Sequence, residues 1–248
     1  MDNQKNHSCA SHDHHNGHIW AELLHHLPYA VFSIALGLII LSFLDVFGLS
    51  NAAGHSHAGH HHHDVMKGAH LLFHSFHFLH IIFAITGCLV TFSRFSNNIF
   101  KGVIVAIISS LFFCTLSDVI LPYLAGLFLG VKMHFHICLF SELHNVIPFY
   151  VIGLINGLVM SRHNSALKGV YSVGSHFGHI LISSLASLFY LVSEGFGNWY
   201  PQMGLLFFFL IIAVVIPCTL ADVIVPIFFA KPRKNNEKYQ AREYQEVV

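Results

Sequence analysis

Six long apolar runs, joined by short polar links, dominate this chain and leave no room for a soluble domain. They cover about Glu22 to Gly48, His70 to Phe92, Gly102 to Val131, Leu139 to Met160, Val170 to Val192 and Met203 to Ala230. Each approaches or exceeds the roughly 20 residues a helix needs to cross a bilayer. Inside hydrocarbon every backbone polar group must be satisfied within the protein, so helices are the expected element. The expected fold is therefore all-α, a polytopic membrane protein of six transmembrane helices. Composition agrees: 54% of residues are hydrophobic and only 10% are charged. Lys plus Arg and Asp plus Glu number twelve each, which argues against a nucleic-acid partner. The first thirty residues lack a basic start followed by an apolar run and a small-residue cleavage site, so no cleaved signal peptide is expected.

Nine residues occur twice. Cys114-Thr115-Leu116-Ser117-Asp118-Val119-Ile120-Leu121-Pro122 returns as Cys218-Thr219-Leu220-Ala221-Asp222-Val223-Ile224-Val225-Pro226. On a helix, Cys and Asp four apart share a face. Proline four residues beyond the Asp lacks the N–H that would bond the Asp carbonyl, which predicts a break at Pro122 and at Pro226. A carboxylate in lipid costs on the order of 3 kcal/mol, so a duplicated one is expected to hold a partner such as a cation.

The doubling extends further. Glu22 to Pro28 matches Glu142 to Pro148 in its Glu-to-Pro interval, and His77-Phe78-Leu79-His80-Ile81 matches His176-Phe177-Gly178-His179-Ile180. Runs one to three thus read as a copy of runs four to six. Three is odd, so the copies are expected to be inverted, the arrangement of many transporters. The chain divides accordingly into a His-rich tail (1–20), a first repeat (21–131) with a His-rich loop (51–68), a second repeat (132–230) and a polar tail (231–248).

Basic residues set the expected orientation. One side receives Lys5, Arg94, Lys101, Arg162, Lys168, Lys231, Arg233, Lys234, Lys238 and Arg242, and the other only Lys67 and Lys132. The positive-inside rule then puts both termini in the cytoplasm of a plasma (inner) membrane protein, with the 51–68 loop outside.

Histidine is the unusual residue, at 23. His70, His74, His77 and His80 follow a helical stripe, and imidazoles three or four apart make a usual chelating pair. Counting about 1.5 Å per residue from the run ends gathers His74, His77, His80, Cys114, Asp118, Glu142 and His144 toward the outer side. His176, His179, Cys218, Asp222, Glu22 and His25 gather toward the inner side by the inverted register. Such mixed N, O and S sets suit Zn, Fe, Mn, Co or Ni, with Zn or Fe foremost, and disfavour Mg or Ca. The five Cys are odd in number and mostly lie in apolar runs, so they read as buried thiols or soft ligands rather than disulfides. Pairs with GxxxG spacing, Gly126/Gly130, Gly153/Gly157 and Gly174/Gly178, point to close helix packing and a possible homo-oligomer.

The expected function is a permease for a divalent transition metal, working by alternating access and coupled to protons because His must be neutral to bind metal. Six spans with His-rich soluble segments resemble the cation diffusion facilitators and, loosely, the zinc and iron permeases. The paired His/Asp helix motif of the former and the His-Asn and His-Glu helix signatures of the latter are absent, so no residue roles are carried over. Two alternatives stay open: a His-ligated di-iron oxidase or hydroxylase, although its HxxHH boxes are missing, and a b-type haem protein.

Overall fold

The structure is a computed structural model. It describes the backbone of residues 13–52, 58–136, 142–162, 165–197 and 199–230, and the side chains of these apart from 13–23, 25, 26, 45, 47–52, 58–66, 143 and 165–175. Its helices are α1 (Asp13–Ala52), α2 (Ala58–Phe95), α3 (Ile99–Phe128), α4 (Leu143–Ser161), α5 (Ser165–Ser193) and α6 (Tyr200–Phe229, opened by one 3-10 turn). No strand occurs among the described residues. All six contain segments long and apolar enough to cross a membrane. The chain is an integral membrane protein by that criterion.

The helices outrun the apolar runs at their polar ends. α2 begins at Ala58, twelve residues before the expected His70, so part of the anticipated 51–68 loop is helical backbone. α1 likewise starts inside the anticipated tail. A helix already nucleated in lipid can extend into water at the low cost of propagation, and that extension has no hydropathy signature. Most of both anticipated tails and residues 53–57 lie outside the described residues.

The expected breaks at Pro122 and Pro226 take another form. α3 runs as α-helix to Thr115, makes a π turn over Leu116–Ile120 and resumes as α-helix over Leu121–Phe128. α6 repeats this with a π turn at Leu220–Ile224. The N–H of Leu121 bonds the carbonyl of Leu116, and that of Val225 bonds Leu220, five residues back. The wider turn accommodates proline without interrupting the rod. Carried one residue on, it leaves the carbonyls of Ser117 and Ala221 facing the prolines, which have no N–H to offer. Each finds a serine: Ser187 Oγ donates to Ser117 O at 3.0 Å, and Ser109 Oγ to Ala221 O at 3.3 Å.

α2 and α5 form the centre of the bundle. α2 packs against α3, α4 and α5 and reaches the π turn of α6, whereas α5 packs against α1 and α2 and reaches the π turn of α3. α4 is the most peripheral, and its contact with α2 depends on small residues. A Cβ at Gly153 would lie 3.2 Å from Ile82 O, and one at Gly157 would lie 2.8 Å from Leu89 Cδ1 and 3.3 Å from Thr86 Cα. Thr86 Oγ1 donates to Gly153 O and accepts from Asn156 Nδ2, tying the same seam. This GxxxG pair is thus spent within the chain. Gly126 lies under Met133, and Gly130, at φ +77°, turns the chain out of α3.

Replacing Gly157 by Ala is expected to push α4 off α2 and cost about 1 to 3 kcal/mol. Denaturant unfolding of the micelle-bound protein measures it; an unchanged midpoint means that the seam is looser than described.

Candidate metal centre

Each half of the chain brings a carboxylate against a histidine pair. In the first, His77 Nδ1 donates to Asp118 Oδ2 at 2.8 Å and His80 Nδ1 donates to the same oxygen at 2.7 Å. In the second, His179 Nδ1 donates to Asp222 Oδ2 at 2.6 Å, with His176 Nδ1 3.8 Å away. His77, His80, Asp118, His179 and Asp222 are all buried. The helix supplies the spacing: three residues separate the histidines of each pair, so both reach one aspartate on the facing π turn.

The two halves meet at the other edge of the rings. His80 Nε2 lies 2.7 Å from His179 Nε2. A carboxylate only accepts hydrogen bonds, so both Nδ1 atoms must carry protons. In neutral rings the two Nε2 atoms then point lone pairs at one another. Such a contact in a dry interior is repulsive unless a proton or a cation lies between the nitrogens.

Two thiols flank this spot. Cys218 Sγ lies 3.7 Å from His80 Nε2, and Cys114 Sγ lies 3.9 Å from the same atom. His80, His179 and Cys218 offer ligand atoms all within 4.8 Å of one another. A tetrahedral ion with bonds of about 2.3 Å to sulfur and 2.0 to 2.1 Å to nitrogen has S–N edges of roughly 3.6 Å and N–N edges of roughly 3.3 Å. The Cys218 distance fits this with little movement and the imidazoles must part by a few tenths of an ångström, whereas Cys114, close to His80 but not within 4.8 Å of all three, must move in to serve as a fourth ligand. The carboxylates behind each ring are the outer partners that fix the tautomer and strengthen a histidine ligand. The set is two imidazoles and one thiol backed by two carboxylates, with the second thiol, Cys114, facing His80 alone, chemistry for a borderline-soft divalent ion.

The two carboxylates are not equally held. Asp118 Oδ1 accepts from Ser117 Oγ at 2.8 Å and from Ser183 Oγ at 2.9 Å. Asp222 Oδ1 is buried without a hydrogen-bond partner among the described residues. Sequence register explains the difference. Ser117 corresponds to Ala221 in the repeated nonapeptide, and Ser183 corresponds to Ala84 when His179 is matched with His80. Gly87 closes over the Asp222 carboxylate, where a Cβ would lie only 2.8 Å from Oδ2.

The expectation of two clusters, one toward each face, is replaced by one centre drawn from both halves. His77, His80, Cys114 and Asp118 join His179, Cys218 and Asp222, with His176 half-buried at its edge. The run ends gave false depths: His80 lies near the middle of the Lys67–Phe95 span, and Cys114 near the middle of Ile99–Phe128. His74 instead joins His70 and His136 at the mouth of the bundle. Glu142 lies close enough to His70 and His74 to act on them electrostatically. His144 is exposed on α4 and is not drawn into either group. Glu22 and His25 lie outside the residues whose side chains are described. Ser117, Ser183 and Gly87 were not anticipated, although Ser183 sits four residues after His179, one turn along the same face.

Ala221→Ser is expected to give Asp222 Oδ1 the donor that Asp118 already has and to stabilise the protein by about 1 kcal/mol. Thermal unfolding in detergent reads it, and a lowered midpoint would show that the pocket has no space for the hydroxyl.

Comparison of the chain with protein-family models, curated proteins and solved structures finds no match, so its function must be argued from this geometry.

Proposed function

We propose that the protein is a membrane permease for a divalent transition-metal ion of the Zn class, Fe being the runner-up, with the buried His80–His179–Cys114–Cys218 set as its transport site. The observation that carries this reading is the 2.7 Å approach of two ring nitrogens whose opposite edges are committed to carboxylates. Charge supports it as well. Asp118 and Asp222 are buried in a lipid-embedded interior, where a cation beside the rings they hold lowers the cost of burying carboxylates.

Two inverted three-helix repeats give such a site a means of alternating access. The ligands divide evenly, His80 and Cys114 from one half and His179 and Cys218 from the other, so rocking one half against the other opens the set without unfolding either. The continuous π turns put their added circumference beside the ligands, a common position for functional π-bulges. Protons compete with metal for the same two lone pairs, so proton-coupled exchange follows from the chemistry. The distribution of Lys and Arg supports cytoplasmic termini.

A second reading is a static metal centre that locks the two halves together. With Cys114 drawn in, the site would have four protein ligands, the mark of structural zinc sites, whereas catalytic ones keep a position open. Flux separates the two. Purified protein in sealed vesicles is expected to carry Zn2+ or Co2+ across the bilayer, and Cys114→Ser with Cys218→Ser to reduce this to background. Metal retained tightly by the parent with no flux would establish the static centre instead.

Asp118→Asn keeps the shape of the carboxylate but removes its charge. It is expected to weaken metal affinity by about 10 to 100-fold, measured by competition with a chelator. Equal affinity in the variant and parent would remove Asp118 from the metal's surroundings.

A further inference from the structure

At the end of the bundle where α2 enters the membrane, three imidazoles converge outside the buried centre. His70 and His74 come from α2, and His136 comes from the link that follows α3; their ligand atoms all lie within 4.8 Å of one another. His70 Nε2 and His74 Nε2 are 3.2 Å apart, close to the roughly 3.3 Å edge between two nitrogens on a tetrahedral ion. His74 Nδ1 is buried without a hydrogen-bond partner among the described residues.

The third histidine is held in place by its backbone. The N–H and carbonyl of His136 both lie 3.4 Å from the Tyr190 hydroxyl, and the N–H of His134 donates to Glu194 O at 3.2 Å. The link is therefore pinned to the end of α5. Two acids provide a field that favours cations: Glu142 acts on His70 and His74, and Glu194 on His134 and His136. Burial raises the Glu194 carboxyl above the usual range, an effect opposed by those two neighbouring histidines.

The same helix face continues to the buried centre. His70 is exposed, His74 half-buried, and His77 and His80 are 2% and 1% exposed. Ten residues of helix separate the first from the last, about 15 Å of descent. Imidazoles thus recur at every turn from water to the interior.

We propose that His70, His74 and His136 form a second, exchangeable binding site for the same class of divalent metal ion, a loading site that feeds the buried centre. Three histidines leave a fourth position for water or an incoming ligand, the arrangement of exchangeable rather than locked sites. The binding site stands on its own geometry, whereas its feeding role rests on the function proposed above.

Cobalt(II) titration of the purified full-length protein separates the two sites. Cobalt bound by Cys114 and Cys218 gives a thiolate charge-transfer band, and cobalt held by three imidazoles gives none. His74→Ala and His136→Ala, each compared with the parent so that metal on the His runs cancels, are expected to bind one equivalent less. Their thiolate band should reach parental amplitude, which verifies the fold, but grow roughly tenfold or more slowly because the local supply of ion is lost. Unchanged equivalents in both variants would overturn the site, and an unchanged rate of band growth would overturn its feeding role. Absence of the band from the parent counts against the buried centre alone, since the equivalent lost at the mouth is read without it.

Discussion

The polar interior is organised by an acid behind each ring. Asp118 and Asp222 accept the Nδ1–H hydrogen bond of His80 and His179 respectively, and this fixes which nitrogen faces the other half of the protein. In water such a contact is of small consequence. In a lipid-surrounded bundle the acid has few other partners, and the ring it holds has one orientation. The rest of the interior conforms to this: α2 and α5 are central because they carry the rings, and the π turns of α3 and α6 are placed to present the acids.

Side chains of modest size support those contacts. Ser117 and Ser183 hold the second oxygen of Asp118, and Ser187 satisfies the backbone that proline leaves unbonded. Around Asp222 the first two hydroxyls are replaced by Ala221 and Ala84, and Gly87 approaches closely, while Ser109 takes the part of Ser187. The two stretches thus differ where one methyl or hydroxyl changes how firmly a charge is held. The two acids are alike in position and unlike in environment.

Much of the architecture was legible because lipid narrows the choices. Apolar runs of this length are read as helices, and each of the six runs contains a helix long enough to cross a membrane. The ends were legible only where polarity changes sharply; the extension of α2 back to Ala58 is rich in His and Gly and looks like a loop. The residue types that meet in the interior were legible from the repeated Cys, Asp and paired His. Their meeting point was not, since depth counted from apolar boundaries cannot locate the middle of a helix that starts elsewhere. His136 was beyond reach for another reason: its position comes from Tyr190 and Glu194 gripping the link, contacts far removed in sequence. The serines were hidden by their ordinariness, for small hydroxyl residues in apolar helices usually bond their own backbone.

The π turns carry a consequence for how this chain can change over time. Each holds one residue more than an α-helical turn requires, and that surplus sets the angular offset between the stretch bearing the cysteine and the stretch that follows. Loss of a single codon there would let the turn tighten and swing the flanking segments by about 100 degrees relative to one another. The acid and the thiol could then no longer address the same histidine. These nine-residue segments therefore cannot be shortened without parting the acid and the thiol from the ring they share.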